Sequence, residues 1–127
     1  MSSARIVRIA LVLMLAVAFV VAAASPAMAQ SAKKRRAIIR IIKAQAVKKH
    51  LSRAEIRAMI KLGKRESGLD PKQVTGRCKG LFQLMTKYSR AKWANPAWNT
   101  RKAMRYVRHR YGTWRAALRH SYRHGWY

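Results

Sequence analysis

Acid is nearly missing from this chain: Glu55, Glu66 and Asp70 stand against 29 lysines and arginines in 127 residues, a formal charge of +26. Any chemistry that needs a carboxyl group therefore has three addresses. Cysteine is scarcer still, and a lone Cys78 excludes an intrachain disulfide, the staple on which most small secreted domains lean. It reads as a buried or incidental thiol, with an intermolecular disulfide as its other use. Metal ligands are also short. His120 and His124 stand four apart on a predicted helix, a spacing that suits zinc, but no third ligand is evident beyond a distant Cys78 or His109. No metal and no cofactor is expected. No strand of any length and no internal repeat is predicted, so the core must come from helix packing.

One long apolar run is present. Arg5 and Arg8 precede an unbroken apolar stretch from Ile9 to Ala24, and Ser25-Pro26-Ala27-Met28-Ala29 ends in small residues. The run falls short of the roughly 20 residues that span a bilayer, so it predicts a secretory signal peptide over 1–29, cut after Ala29, rather than an anchor. No cysteine lies near the cut, which excludes a lipid-modified N-terminus. The expected mature domain, 30–127, keeps 27 bases and 3 acids, a charge of +24 on 98 residues. Such a charge speaks of partners, not of fold. The bases are spread along the whole mature chain, as on a solvated surface, and would attract a polyanion by charge complementarity.

Ala32 to His50 starts with Lys33-Lys34-Arg35-Arg36 and carries Ile38, Ile39, Ile41, Ile42, Ala46 and Val47 at spacings that predict an amphipathic helix. Ser52-Arg53-Ala54-Glu55 is a capping-box pattern, which gives Glu55 a structural job at the start of a second helix running to about Arg65. That helix should stop near Ser67-Gly68, with Asp70-Pro71 as a turn. Residues 72–80 read as an irregular loop and Leu81 to Trp93 as a helix. Asn95 to Thr100 reads as a loop closing on a helix cap, ahead of Ala103, Met104, Val107 and Tyr111 at helical spacing, with Gly112 as the stop. Thr113 caps a last helix with Trp114, Leu118 and Tyr122 on one stripe. Most of the large aromatics, among them Trp93, Trp98, Trp114 and Trp126, must serve as core in so small a chain.

Two motifs fall within this helical frame: Glu66-Ser67-Gly68-Leu69-Asp70-Pro71 at a helix end, and Gly80-Leu81-Phe82-Gln83 fourteen residues later. Together with the ending Gly125-Trp126-Tyr127, the arrangement over about 37–127 resembles the lytic transglycosylase domain of the lysozyme-like superfamily, in its small secreted bacterial members. The resemblance implies an all-α fold, a small lysozyme-like helical domain behind a cleaved signal peptide. It implies Glu66 as catalytic acid/base, with Ser67, Gly80, Leu81, Phe82 and Gln83 lining the sugar cleft. The family's usual Ala-Tyr-Asn near the last helix is replaced by Arg119-His120-Ser121-Tyr122, where Tyr122 is the residue expected to meet substrate.

Glycosidic hydrolysis needs a protonated carboxyl and, in most enzymes, a second carboxylate about 5–9.5 Å away. Glu55 lies eleven residues from Glu66 on the same predicted helix, about 16 Å at 1.5 Å per residue. Asp70, before a proline, reads as a local hydrogen-bond acceptor. A reaction with one carboxylate fits better, and the resemblance implies such a reaction: cleavage between N-acetylmuramic acid and N-acetylglucosamine with a 1,6-anhydro product. The expected partners are peptidoglycan and anionic cell-wall polymers, met by a monomer that is secreted, periplasmic or wall-associated. The competing expectation is a non-enzymatic cationic wall- or membrane-binding protein on the same fold, antimicrobial in character. Specific nucleic-acid binding is disfavoured by the export signal and by the lack of a known binding motif.

Overall fold

The computed structural model describes residues 25–127. The signal-peptide expectation over residues 1–24 lies outside them. Helix α1 (Pro26–Val47) starts earlier than its apolar pattern, because Ser25 accepts from the Met28 amide at 3.3 Å and Pro26 takes the first helical position. The expected cut after Ala29 thus falls inside its first turn. Ile38, Ile42 and Ala46 form its buried stripe. Helix α2 (Arg53–Ser67) starts as expected on Ser52, whose hydroxyl accepts from the Glu55 amide at 3.2 Å, and ends on Gly68 in the left-handed region.

The segment after α2 departs from the expected irregular loop over 72–80 and helix from Leu81 to Trp93. Three two-residue strands, β1 (Val74–Thr75), β2 (Cys78–Lys79) and β3 (Leu84–Met85), form an antiparallel sheet in sequence order, pairing Thr75 with Cys78 and Lys79 with Leu84. The helix predicted from Leu81 to Trp93 is reduced to one turn, α3 (Arg90–Trp93). Its apolar spacing suited a helix, but long-range partners win. Gly80 and Gln83 take positive φ of 82° and 47°, and the Phe82 amide donates to Asn99 Oδ1 at 2.9 Å instead of into a helical turn. Leu81 and Phe82 thereby drop into the core.

Helix α4 (Pro96–Tyr111) begins where a loop was expected. Asn95 Oδ1 accepts from the Trp98 amide at 3.0 Å and Pro96 again takes the first turn, so Asn99 and Thr100 are buried helical residues rather than cap residues. Gly112 closes it, and Thr113 caps helix α5 (Trp114–His124) through the Ala116 amide at 3.1 Å. The α5 stripe is also corrected: Trp114, Ala117 and Ser121 are buried, whereas Tyr122 is 59% exposed.

Helix α2 packs on α5 and α1 on α4 around one core, with Ile42, Met59, Leu62, Leu81, Phe82 and Val107 sealed from solvent. The Phe82 and Trp114 rings meet at 5.2 Å, tying the Gly80–Gln83 turn to α5. The molecule is mostly helical, and among the described residues no helix is long and apolar enough to cross a membrane.

Candidate active site

The three carboxyls take three different jobs. Glu55 belongs to the start of α2 by sequence, but its side chain serves another helix: Oε2 accepts from the Trp114 amide at 2.5 Å and Oε1 pairs with Arg115 Nε at 3.3 Å. It caps α5, not α2 as the capping-box reading had it, and Ser52 caps α2 without it. Asp70 is exposed, and its Oδ1 accepts from the Lys72 amide at 2.9 Å, the local turn bond expected of it. Glu66, on the last turn of α2, is half-buried. Loss of water raises its carboxyl above the usual carboxylate range, while the neighbouring Arg65 charge and a hydrogen bond from the Ser121 side chain pull the other way.

Ser121 Oγ accepts from Arg65 Nε at 3.2 Å, and its carbonyl from Arg65 Nη2 at 3.4 Å. The Arg65 guanidinium lies 4.3 Å from the centroid of the exposed Tyr122 ring. The helix α5 residue presented to Glu66 is therefore Ser121, and Tyr122 touches Arg65 beside it. Sequence reasoning passed over Ser121. The available signal was its place four residues after Ala117 and seven after Trp114, on the buried stripe.

The second motif is bonded to the residue that follows Glu66. Ser67 Oγ, 2.7 Å from the Leu81 carbonyl and 3.2 Å from that of Gly63, joins the end of α2 to the Gly80–Gln83 turn. Gly80 is confined by contact as well as by φ, since a Cβ there would stand 2.3 Å from Asn99 Nδ2 and 2.6 Å from the Trp93 carbonyl. Ser67, Gly80, Leu81 and Phe82 thus form the bedding of the site, and of the second motif Gln83 is the residue that lines the cavity beside it. Its Nε2 donates to the carbonyls of Gln73 at 3.0 Å and Gly80 at 2.8 Å, and these bonds hold it in its left-handed conformation. Its Oε1 is buried with no donor. An unused acceptor of this kind is unusual in a folded interior.

The cavity beside Gln83, about 380 Å³, is also walled by Cys78, Met85, Tyr88, Trp98 and Tyr127. Tyr88 and Trp98 meet edge to face at 5.1 Å. Glu66 is not among the lining residues. Tyr127 makes the connection: it lines the cavity, its hydroxyl donates to the Phe82 carbonyl at 2.5 Å, and its ionisation is pushed well above the usual phenol range by burial and then by the Glu66 charge. In the sequence Tyr127 stands out only as the end of Gly125-Trp126-Tyr127, with no role attached to it. His120 and His124 stack at 4.3 Å, and among the described residues no group of three metal-ligating side chains occurs.

Comparison with protein families, with curated proteins and with solved structures finds no match for this chain.

Proposed function

We propose that this protein is an exported lytic transglycosylase that cleaves the MurNAc-β-1,4-GlcNAc bond of peptidoglycan with Glu66 as its one acid/base. The observation that carries the reading is the division of labour among three carboxyls. Two are spent on turns and caps, and the third is half-buried with a raised affinity for its proton. Glu66 first gives its proton to the glycosidic oxygen. The resulting carboxylate takes the proton of the muramyl 6-hydroxyl, whose oxygen closes onto C1 to form the 1,6-anhydro ring. No water is consumed, so no second carboxylate is needed to activate one. Gln83, Tyr88 and Trp98 line the cavity in which a sugar unit is held, with Lys102 beside the two rings.

Purified peptidoglycan digested with the protein should yield muropeptides one water lighter than hydrolysed ones and resistant to borohydride. Reducible ends throughout would mean lysozyme-type hydrolysis. Glu66→Gln should bind peptidoglycan as the wild type does and cleave none of it; lysis by that variant would remove Glu66 from its role.

A second reading, a non-enzymatic cationic wall- or membrane-binding protein, draws on the departure at Arg119-His120-Ser121-Tyr122 and on the absence of Glu66 from the cavity wall. It requires wild-type protein and Glu66→Gln to leave peptidoglycan equally intact.

A further inference from the structure

Away from the Glu66 region, a groove of about 960 Å³ opens between the end of α1, α4 and the start of α5. Its charged residues are Lys48 and Lys49 from α1's end, Arg101, Arg105 and Arg108 from α4, and Glu55. The three arginines recur at i, i+4 and i+7, so they stand in one row along about 10 Å of helix. All five bases are exposed, none has an ion-pair partner, and none lies over an aromatic ring among the described residues. Glu55 offers them nothing, because its two oxygens are taken by the Trp114 amide and Arg115. Like charges gathered on a concave surface reinforce one another's potential, and here nothing cancels it.

The floor beneath this rim is apolar, made by Leu51, Met104, Val107 and Trp114. Trp114 is only 3% exposed, its ring being turned to Phe82, so the groove has no aromatic platform on which a nucleobase can stack. Its length and several separate cations exceed what one phosphate ion needs. We propose that this groove is a binding site for a phosphodiester polymer with an aliphatic, polyol-type backbone: phosphates meet the arginine row and the two lysines, and the carbon links lie on the apolar floor. The site is separate from the Glu66 region and would hold the protein on an anionic wall polymer whether or not cleavage occurs.

The test compares two variants of equal net charge in the full mature protein. Arg101→Gln/Arg105→Gln/Arg108→Gln empties the α4 rim, and Lys33→Gln/Lys34→Gln/Arg36→Gln removes three exposed bases from α1 outside the groove. Binding of a synthetic poly(glycerol phosphate) chain, followed by calorimetry across a salt series, should weaken about tenfold or more for the groove variant at low salt, with the slope of log K against log salt reduced by about 2. The control should lose less than about threefold. Lys48→Gln/Lys49→Gln, on a different element, should also weaken binding and guards against local damage to α4. Equal losses in groove and control variants would overturn the proposal, since diffuse charge would then explain binding. Tighter, equally groove-dependent binding of oligo(dT) of the same charge would overturn it too, by assigning the groove to nucleic acid. Neither result bears on Glu66, whose role is read from digestion products.

Discussion

A methyl group at position 80 would collide with Asn99 and with the Trp93 carbonyl and would also have to accept φ of 82°. Both contacts are with atoms fixed by other bonds, since Asn99 Nδ2 donates to the Trp93 and Lys79 carbonyls. Gly80→Ala should therefore cost more than about 2 kcal/mol of stability by urea unfolding, from overpacking and backbone strain together. At Glu66 the expected effect depends on pH. Its folded-state affinity for the proton is raised, so its contribution to stability is fully present below the ordinary carboxylate pKa and is lost as pH rises through the higher folded value. Glu66→Gln lacks that loss. The variant should gain on the wild type as pH rises from below 4 through the raised value and hold its advantage above it; parallel stability curves across that range would show that the carboxyl is not penalised by its surroundings.

Local chemistry was legible at element ends and opaque between them. Ser52, Gly68, Gly112 and Thr113 act as read from the chain, because a cap is settled within four residues. Leu81 to Trp93 was misread because its backbone answers to Ser67, fourteen residues before, and Asn99, seventeen after. Glu66 and Gln83 were singled out by their motifs, and the structure places the first half-buried at the end of α2 and the second on a cavity wall. The real task of Glu55 was not legible, since its partner amide is 59 residues away. Helix α5 thus starts under two caps, one local and one borrowed. Thr113→Ala should cost about 0.5–2 kcal/mol. Glu55→Ala should cost about 1–3 kcal/mol by leaving the Trp114 amide without its acceptor, while Glu55→Gln, which keeps an acceptor oxygen, should cost less. Thermal unfolding of the three variants checks the order; an equal loss for Gln and Ala at position 55 would assign its worth to charge rather than to the cap.

Charge governs the molecule as a whole. Among the described residues Glu55 and Arg115 form the only ion pair, so nearly every base repels its neighbours and seeks an anion elsewhere. The same positive field favours ionised Glu66 and works against it as an acid. On the proposed function, peptidoglycan cleavage should pass through an optimum as salt rises, because screening relieves Glu66 before the Debye length, about 10 Å at 0.1 M, shrinks to about 3 Å at 1 M and the proposed wall capture fails. A monotonic rise to molar salt would show that capture does not matter. Helix α1 adds a matter of timing. The bond between Ala29 and Gln30 lies inside its first turn, with the Ala29 amide bonded to the Ser25 carbonyl at 3.0 Å. Peptidases act on extended chain, so if export processing cuts there, the cut must come before this turn winds. A precursor that folded early would hide its own cleavage bond, and a processed chain would begin α1 without the serine and proline that start it here.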